Sequence, residues 1–255
     1  MSLHSGQFHD VVITPDRVLR YPRTAAAAAE LPGRAALLVA LNTLALGTAV
    51  PRPLAELRPA PLGEFHLVLS RVPGAPLDQA GARAAIDVVA GEFARVLRAM
   101  SEVDGLDGVP TAAPGRWVEF ADGVRAELFP LMDGRGRERA ARELAAVLAL
   151  DHVTTGLVHG DLGGENVLWV DGPELAGIVD WDGAAIGDPA EDVAAIGASY
   201  GPELVARVTA LLGWRSSAHR IAAYQGTFAL QQALSGALDG DDEELADGLA
   251  GYRPA

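Results

Sequence analysis

The residues best placed to do chemistry lie between Val158 and Asp192, in VHGDLGGENVLWV followed by DGPELAGIVDWDGAAIGDPAED. His159-Gly160-Asp161 leads to Asn166, five positions after the aspartate, and Asp180 follows fourteen positions later at the end of Gly177-Ile178-Val179-Asp180. Asn166 to Val170 reads as a short apolar strand and Leu175 to Trp181 as the returning strand. Asp171-Gly172-Pro173 between them is a turn signal, because glycine accepts the positive φ of a tight hairpin. A hairpin of this length brings its open ends together, so Asn166 and Asp180 become neighbours. Two oxygen donors side by side, with a third at the Asp161 carboxylate, suit Mg²⁺. That hard cation usually keeps substrate phosphates and waters as its other ligands. The set has the parts of a phosphoryl-transfer site.

Other elements must position these groups. Val11 to Ile13 and Arg17 to Tyr21 read as two strands joined by Thr14-Pro15-Asp16. Thr24 to Leu31 is alanine-rich and helical by propensity; Pro32-Gly33 interrupts it, and Pro32 suits the first residue of a second helix over Arg34 to Leu46. Glu64 to Ser70 alternates like a half-buried strand. Gln79 to Met100 carries Ile86, Val89, Phe93, Val96, Leu97 and Met100 at helical spacing, a core stripe. Further helices are predicted over Trp117 to Met132, Arg137 to Leu150, Pro202 to Leu212, Ala218 to Leu238 and Glu243 to Ala250. Gly187-Asp188-Pro189 opens another, with Asp188 able to cap, Pro189 in the first turn and Glu191 at the positive helix end.

Composition narrows the partners. The 255 residues suffice for one large domain or two lobes, and 49% hydrophobic with 21% charged residues indicates a globular protein. With no cysteine, thiolate zinc sites, disulfides and cysteine nucleophiles are excluded. A net charge of −14 argues against nucleic acid, whose phosphates need clustered cations, and favours steering of cationic small molecules. The start MSLHSGQFHD has no signal-peptide pattern, and Ala35 to Val50, the longest apolar run, is short for a membrane span, so cytoplasmic localisation is expected. All 20 basic residues are arginine.

H-G-D-L-x-x-x-N, I-V-D-W and G-D-P-x-x-D, in this order, resemble the aminoglycoside phosphotransferase family, relatives of choline kinases and protein kinases. Val18-Leu19-Arg20-Tyr21-Pro22-Arg23 and Val72-Pro73-Gly74-Ala75-Pro76-Leu77 resemble the family's phosphate-binding strand and lobe linker. The resemblance implies an α+β, protein-kinase-like two-lobe fold. A small N-terminal sheet lobe over residues 1–71 would bind nucleotide, and a larger, mainly helical lobe over 72–255 would carry catalysis and the substrate. It implies that Asp161 accepts the proton of an acceptor hydroxyl, that Asn166 and Asp180 hold Mg²⁺ on the phosphates of ATP or GTP, and that Arg20 replaces the usual phosphate-holding lysine. Backbone near Ser70 to Val72 would hydrogen-bond the purine. Asp192 would bond the catalytic-loop backbone. Aminoglycoside antibiotics head the acceptors so implied, with macrolides next.

Three positions leave alternatives. Asp182 is a second metal contact, a substrate contact or a turn residue, the turn first. The run Asp239–Glu244 is a solvated helix start or a set of acidic groups for a cationic substrate. Arg34 stands where the family places the glutamate partner of its lysine; two facing guanidiniums repel, so either Arg34 turns aside or an anion lies between it and Arg20. The absence of that lysine–glutamate pair keeps a second function open: a kinase-like protein that binds a nucleotide or small molecule with weak or no catalysis. Ser5-Gly6 falls where a glycine turn would cover phosphates, with the strand before it nearly missing.

Overall fold

Alternation of apolar side chains near the N-terminus builds an antiparallel sheet, and the helices that follow bury their apolar stripes in two cores. The computed structural model describes residues 2–5, 9–55, 57, 66–170 and 172–253. Strands β1 (Ser2–Ser5), β2 (His9–Ile13), β3 (Arg17–Pro22) and β4 (Leu67–Ser70) lie in that order, each antiparallel to the next. The first strand is therefore present, pairing Ser2 with Ile13 and Ser5 with Asp10, where the sequence suggested it was nearly missing. Gly6 and the residues of the expected strand at 64–65 lie outside the described residues. Val11 pairs with Arg20 and Arg20 with Leu67, which places the three on one face of the sheet.

Helix α1 (Ala25–Leu41) begins at Thr24, whose hydroxyl accepts from Ala27 N at 3.1 Å, and runs unbroken through Pro32. This corrects the expected interruption. An interior proline costs about 3 kcal/mol. Leu31 and Leu41 at 0% exposure, with Leu38 and Leu37 also buried, return about 2 kcal/mol each, so packing outweighs the break. The consequence reaches the site: an unbroken helix puts Glu30 one turn before Arg34.

After β5 (Ala75–Pro76), the expected long helix is split at Ala85 (φ −122, ψ 31) into α2 (Gln79–Ala84) and α3 (Ile86–Ser101). Phe93, Val96, Leu97 and Met100 of α3 are buried in the main core, as their spacing requires. Helix α4 (Arg116–Gly123) gives way to a π-helical turn over Val124–Leu128 and a 3₁₀ turn over Phe129–Leu131, where one regular helix was expected. Asp133 caps α5 (Gly134–Leu148), accepting from Gly136 N at 2.6 Å. The C-terminal helices are α6 (Ala190–Tyr200), α7 (Pro202–Leu212), α8 (Ala218–Gln225), α9 (Phe228–Asp239) and α10 (Asp242–Gly248). Gly226 and Thr227 separate α8 from α9, where a single helix was expected. Asp241 accepts from Glu243 N and Glu244 N at 3.1 and 3.0 Å, so the acidic run starts a helix. No helix among the described residues is long and apolar enough to cross a membrane.

Two small ladders set the loops of interest. β6 (Gly156–Val158) pairs with β9 (Ala185–Gly187), and β7 (Val167–Val170) with β8 (Glu174–Ile178) and β5. One loop, 159–166, joins β6 to β7, and another, 179–184, joins β8 to β9. Both therefore emerge where the two ladders meet. Ala49 bonds into β8, donating to Ala176 O at 3.2 Å and accepting from Ile178 N at 3.0 Å. Gly177 permits that approach, since a Cβ there would stand 2.4 Å from Val72 Cγ1 and 2.8 Å from Ala49 O.

Candidate active site

The first loop is pinned from below. His159 N and Gly160 N donate to the two oxygens of Asp192 at 2.8 and 3.1 Å, from the first turn of α6. Asp192 is 1% exposed, and burial pushes its carboxyl up to about 7 against the pull of those two N–H groups. Asp161 N donates to His159 Nδ1 at 3.2 Å, so the ring proton sits on Nε2 and is given to Val179 O at 2.9 Å. The buried ring thus ties the first loop to the second and stays neutral, its pKa lowered by burial to about 4. Gly160 adopts φ +87, and a Cβ would lie 2.6 Å from Gly183 O. No larger residue fits between the loops at this point.

Asp161, Asn166 and Asp180 converge as the hairpin spacing required. Asn166 Nδ2 donates to Asp161 O at 2.9 Å and to Asp161 Oδ2 at 3.0 Å, while Asn166 O accepts from Val179 N at 2.9 Å. Asn166 therefore spends its amide nitrogen on Asp161 and leaves its side-chain oxygen for a cation. Asp180 has φ 61 and ψ 59, the single non-glycine residue with positive φ among the described residues. Aspartate tolerates this left-handed geometry better than most side chains, and such outliers cluster at working sites. Lost hydration, then Glu165 and Asp180, raise the Asp161 carboxyl above the usual range, with Asn166 opposing. Burial also raises Asp180, with Arg20 pulling it down. Hard oxygen donors at Asn166 and Asp180 fit Mg²⁺, which relies on phosphates and water to complete its shell.

The anion between the arginines is Asp182. Arg20 donates to Asp182 Oδ1 at 3.1 Å and to Oδ2 at 2.7 Å, and reaches Asp180 Oδ1 at 3.3 Å. Arg34 donates to Asp182 Oδ2 at 2.5 Å and to Glu30 Oε2 at 2.7 Å. Burial disfavours the Arg20 charge, but Asp182 and Asp180 outweigh it and hold its pKa above the ordinary value. His9, 4% exposed, accepts from Arg34 at 3.4 Å on Nδ1. Burial, then Arg20 and Arg34, lower its pKa to about 4. Sequence reasoning named Asp182 chiefly as a turn residue and passed over His9. The charge conflict of Arg20 and Arg34 did call for an anion, and Asp182, two residues from Asp180, was the nearest acidic signal.

Asp188 is structural: Oδ1 accepts from Ala190 N at 3.0 Å, and Oδ2 accepts from Arg220 Nε at 2.6 Å and Tyr224 OH at 2.7 Å. At the linker, Ser70 N donates to Arg52 O at 2.8 Å, which spends the Ser70 N–H, and Ser70 Oγ accepts from Arg52 N at 2.9 Å. The Val72 side chain is buried against Gly177, and its N–H meets no protein acceptor among the described residues.

Comparison with known proteins places this arrangement. Residues 5–224 match the sequence profile of the phosphotransferase enzyme family. A viomycin phosphotransferase of Streptomyces vinaceus is 55% identical over 265 residues, covering 99% of this chain and 92% of the relative. The GDP and kanamycin complex of APH(2")-IIIa superposes with a TM-score of 0.84 at 21% identity, over 98% of this chain and 90% of that one. A macrolide 2'-phosphotransferase type I gives 0.76 at 24%, over 100% and 91%. The two-lobe, kinase-like fold, the convergent Asp161, Asn166 and Asp180 and the matched sequence agree: the chain belongs to the phosphotransferase enzyme family and is a small-molecule phosphotransferase.

Proposed function

We propose that the protein transfers the γ-phosphoryl group of ATP or GTP to a hydroxyl of viomycin or an antibiotic of similar chemistry. The observation that carries this reading is the meeting of Asp161, Asn166 and Asp180 at the open end of one hairpin. The acceptor comes from the relative named viomycin phosphotransferase, at 55% identity. It moves viomycin ahead of the aminoglycosides, whose phosphotransferases superpose at 15–21% identity. Backbone contacts serve adenine and guanine alike.

Residues 1–71 form the nucleotide-binding lobe and 72–255 the catalytic and acceptor lobe, with the change after β4 at Ser70. The Val72 N–H and the backbone beside it at Ser70 receive the purine edge. Arg20 holds phosphate. Asn166 and Asp180 hold Mg²⁺, which when bound neutralises charge on the phosphate oxygens. The free oxygen of Asp161 orients the acceptor hydroxyl and takes its proton as the hydroxyl oxygen bonds to the γ-phosphorus and the bridge to the β-phosphate breaks. Asn166 fixes the other oxygen and so sets the direction in which Asp161 points. The net charge of −14 favours approach of a cationic acceptor. A binding protein with weak catalysis is the competing reading; its main support was an Arg20 without a carboxylate, and Asp182 and Asp180 fill that role.

The test is transfer of label from γ-labelled ATP and GTP to viomycin, kanamycin and a macrolide, with Mg²⁺ and with chelator. Label is expected on viomycin, with Mg²⁺ only. Label on no acceptor would favour the binding reading, and label on kanamycin alone would refute the acceptor assignment.

A further inference from the structure

The family pattern asks for a carboxylate on α1 to fix the phosphate-holding cation of β3. Helix α1 contains one acidic residue, Glu30, and it is committed to Arg34 at 2.7 Å. No carboxylate of α1 is thus available to Arg20. The structure assigns that task to Asp182: we infer that it is the positioning residue that holds Arg20 for the nucleotide phosphates, acting from the loop that also carries Asp180. This rests on the reading that Arg20 binds phosphate.

Three observations carry it. Asp182 meets Arg20 with both oxygens, the two-pronged match of carboxylate to guanidinium that fixes direction as well as charge. The three other roles open to Asp182 are weakened: both oxygens are taken by guanidinium N–H groups, which disfavours a metal or substrate contact, and its side-chain bonds run to Arg20 and Arg34 rather than across the Trp181–Gly183 turn. Arg34, which stands in the place of the expected glutamate, then has a purpose. It grips Asp182 Oδ2 from the helix side at 2.5 Å and is itself steadied by Glu30. The chain of contacts runs from Glu30 through Arg34 and Asp182 to Arg20. The anchoring carboxylate has moved from the helix to the metal-side loop, and the helix supplies a cation that holds the anchor. Because Arg20 also touches Asp180, the phosphate-holding and cation-holding groups are set by one network.

The test is a double-mutant cycle on nucleotide affinity, read by calorimetry with Mg·ATP and Mg·GTP in parallel and followed on the tighter of the two. Loss of a hydrogen bond to a charged group is worth about tenfold or more. Arg20→Ala and Asp182→Asn should each weaken the nucleotide by roughly that factor, and the double variant should be no weaker than Arg20→Ala alone. KM for the nucleotide should rise in Asp182→Asn while KM for the acceptor holds. Asp182→Glu, which keeps the charge, should bind within about threefold of the parent; it also serves if Asp182→Asn does not fold. If Arg20→Ala leaves affinity unchanged, the phosphate role of Arg20 fails first. If Arg20→Ala weakens binding but Asp182→Asn does not, or tightens it, the inference is overturned and Asp182 is a competitor for Arg20. Additive losses in the double variant, or a loss in Asp182→Glu as large as in Arg20→Ala, would equally overturn it.

Discussion

His9 gives a prediction whose size follows from its surroundings. The ring is 4% exposed, lies against Arg34, and has its pKa lowered from 6.5 to about 4 by burial and then by Arg20 and Arg34. In the unfolded chain it takes up a proton as pH falls through 6.5; in the folded protein it resists until about 4. Between those values the unfolded state binds more protons, so stability is lost as pH falls. At about 1.4 kcal/mol per pKa unit the full shift would be worth about 3 kcal/mol; solvent screening of a partly desolvated ring reduces this to about 1–3 kcal/mol, constant below pH 4. His159 has the same sign, while Asp192, raised to about 7, has the opposite one, because its folded form keeps a proton that the unfolded chain releases. The isolating comparison is therefore with His9→Gln, measured by urea unfolding at pH 4 to 8. The stability of the parent relative to the variant should fall by about 1–3 kcal/mol from pH 7 to pH 4. Parallel curves would mean that His9 titrates alike in both states and that the arginine pair does not press on it.

The remaining predictions concern the loops. Gly160→Ala places a Cβ 2.6 Å from Gly183 O at φ +87, and should cost about 1–3 kcal/mol of stability and most of the turnover, read by thermal unfolding and initial rates. Asp192→Ala strands the buried N–H groups of His159 and Gly160, and should destabilise by about 1–3 kcal/mol per unsatisfied group in the same unfolding assay. Because Glu165 raises the Asp161 carboxyl, Glu165→Gln should move the acid limb of the kcat/KM profile to lower pH, with the plateau retained.

The hairpin and its three oxygen-bearing residues were legible because local signals agree there: apolar runs, a turn with Gly172, and oxygen-bearing side chains at its open ends. The place of Arg20 on β3 was legible through its strand pattern. The continuity of α1 through Pro32 was not, since propensity says break and only the burial of Leu31, Leu37, Leu38 and Leu41 says otherwise. The split at Ala85 has no Gly or Pro of its own to announce it. The π-helical turn at Val124–Leu128 packs Val124 and Leu128 into a second core with Leu230 and Tyr252, contacts that lie about a hundred residues away in sequence. The partner of Arg20 was hidden for a similar reason. It comes from the far side of the chain, and a charge conflict in the sequence says that an anion is needed without saying which one.

If Asp161 takes the acceptor's proton at a site where Asn166 and Asp180 hold the nucleotide's cation, removing its charge slows transfer and spares nucleotide binding. Single-turnover transfer from γ-labelled nucleotide to viomycin by Asp161→Asn, with nucleotide affinity measured on the same protein, tests it most directly. Transfer should slow by about 10² to 10⁴ with affinity within a few-fold of the parent. Transfer at the parent's rate, or slowed only in step with lost nucleotide binding, would contradict it.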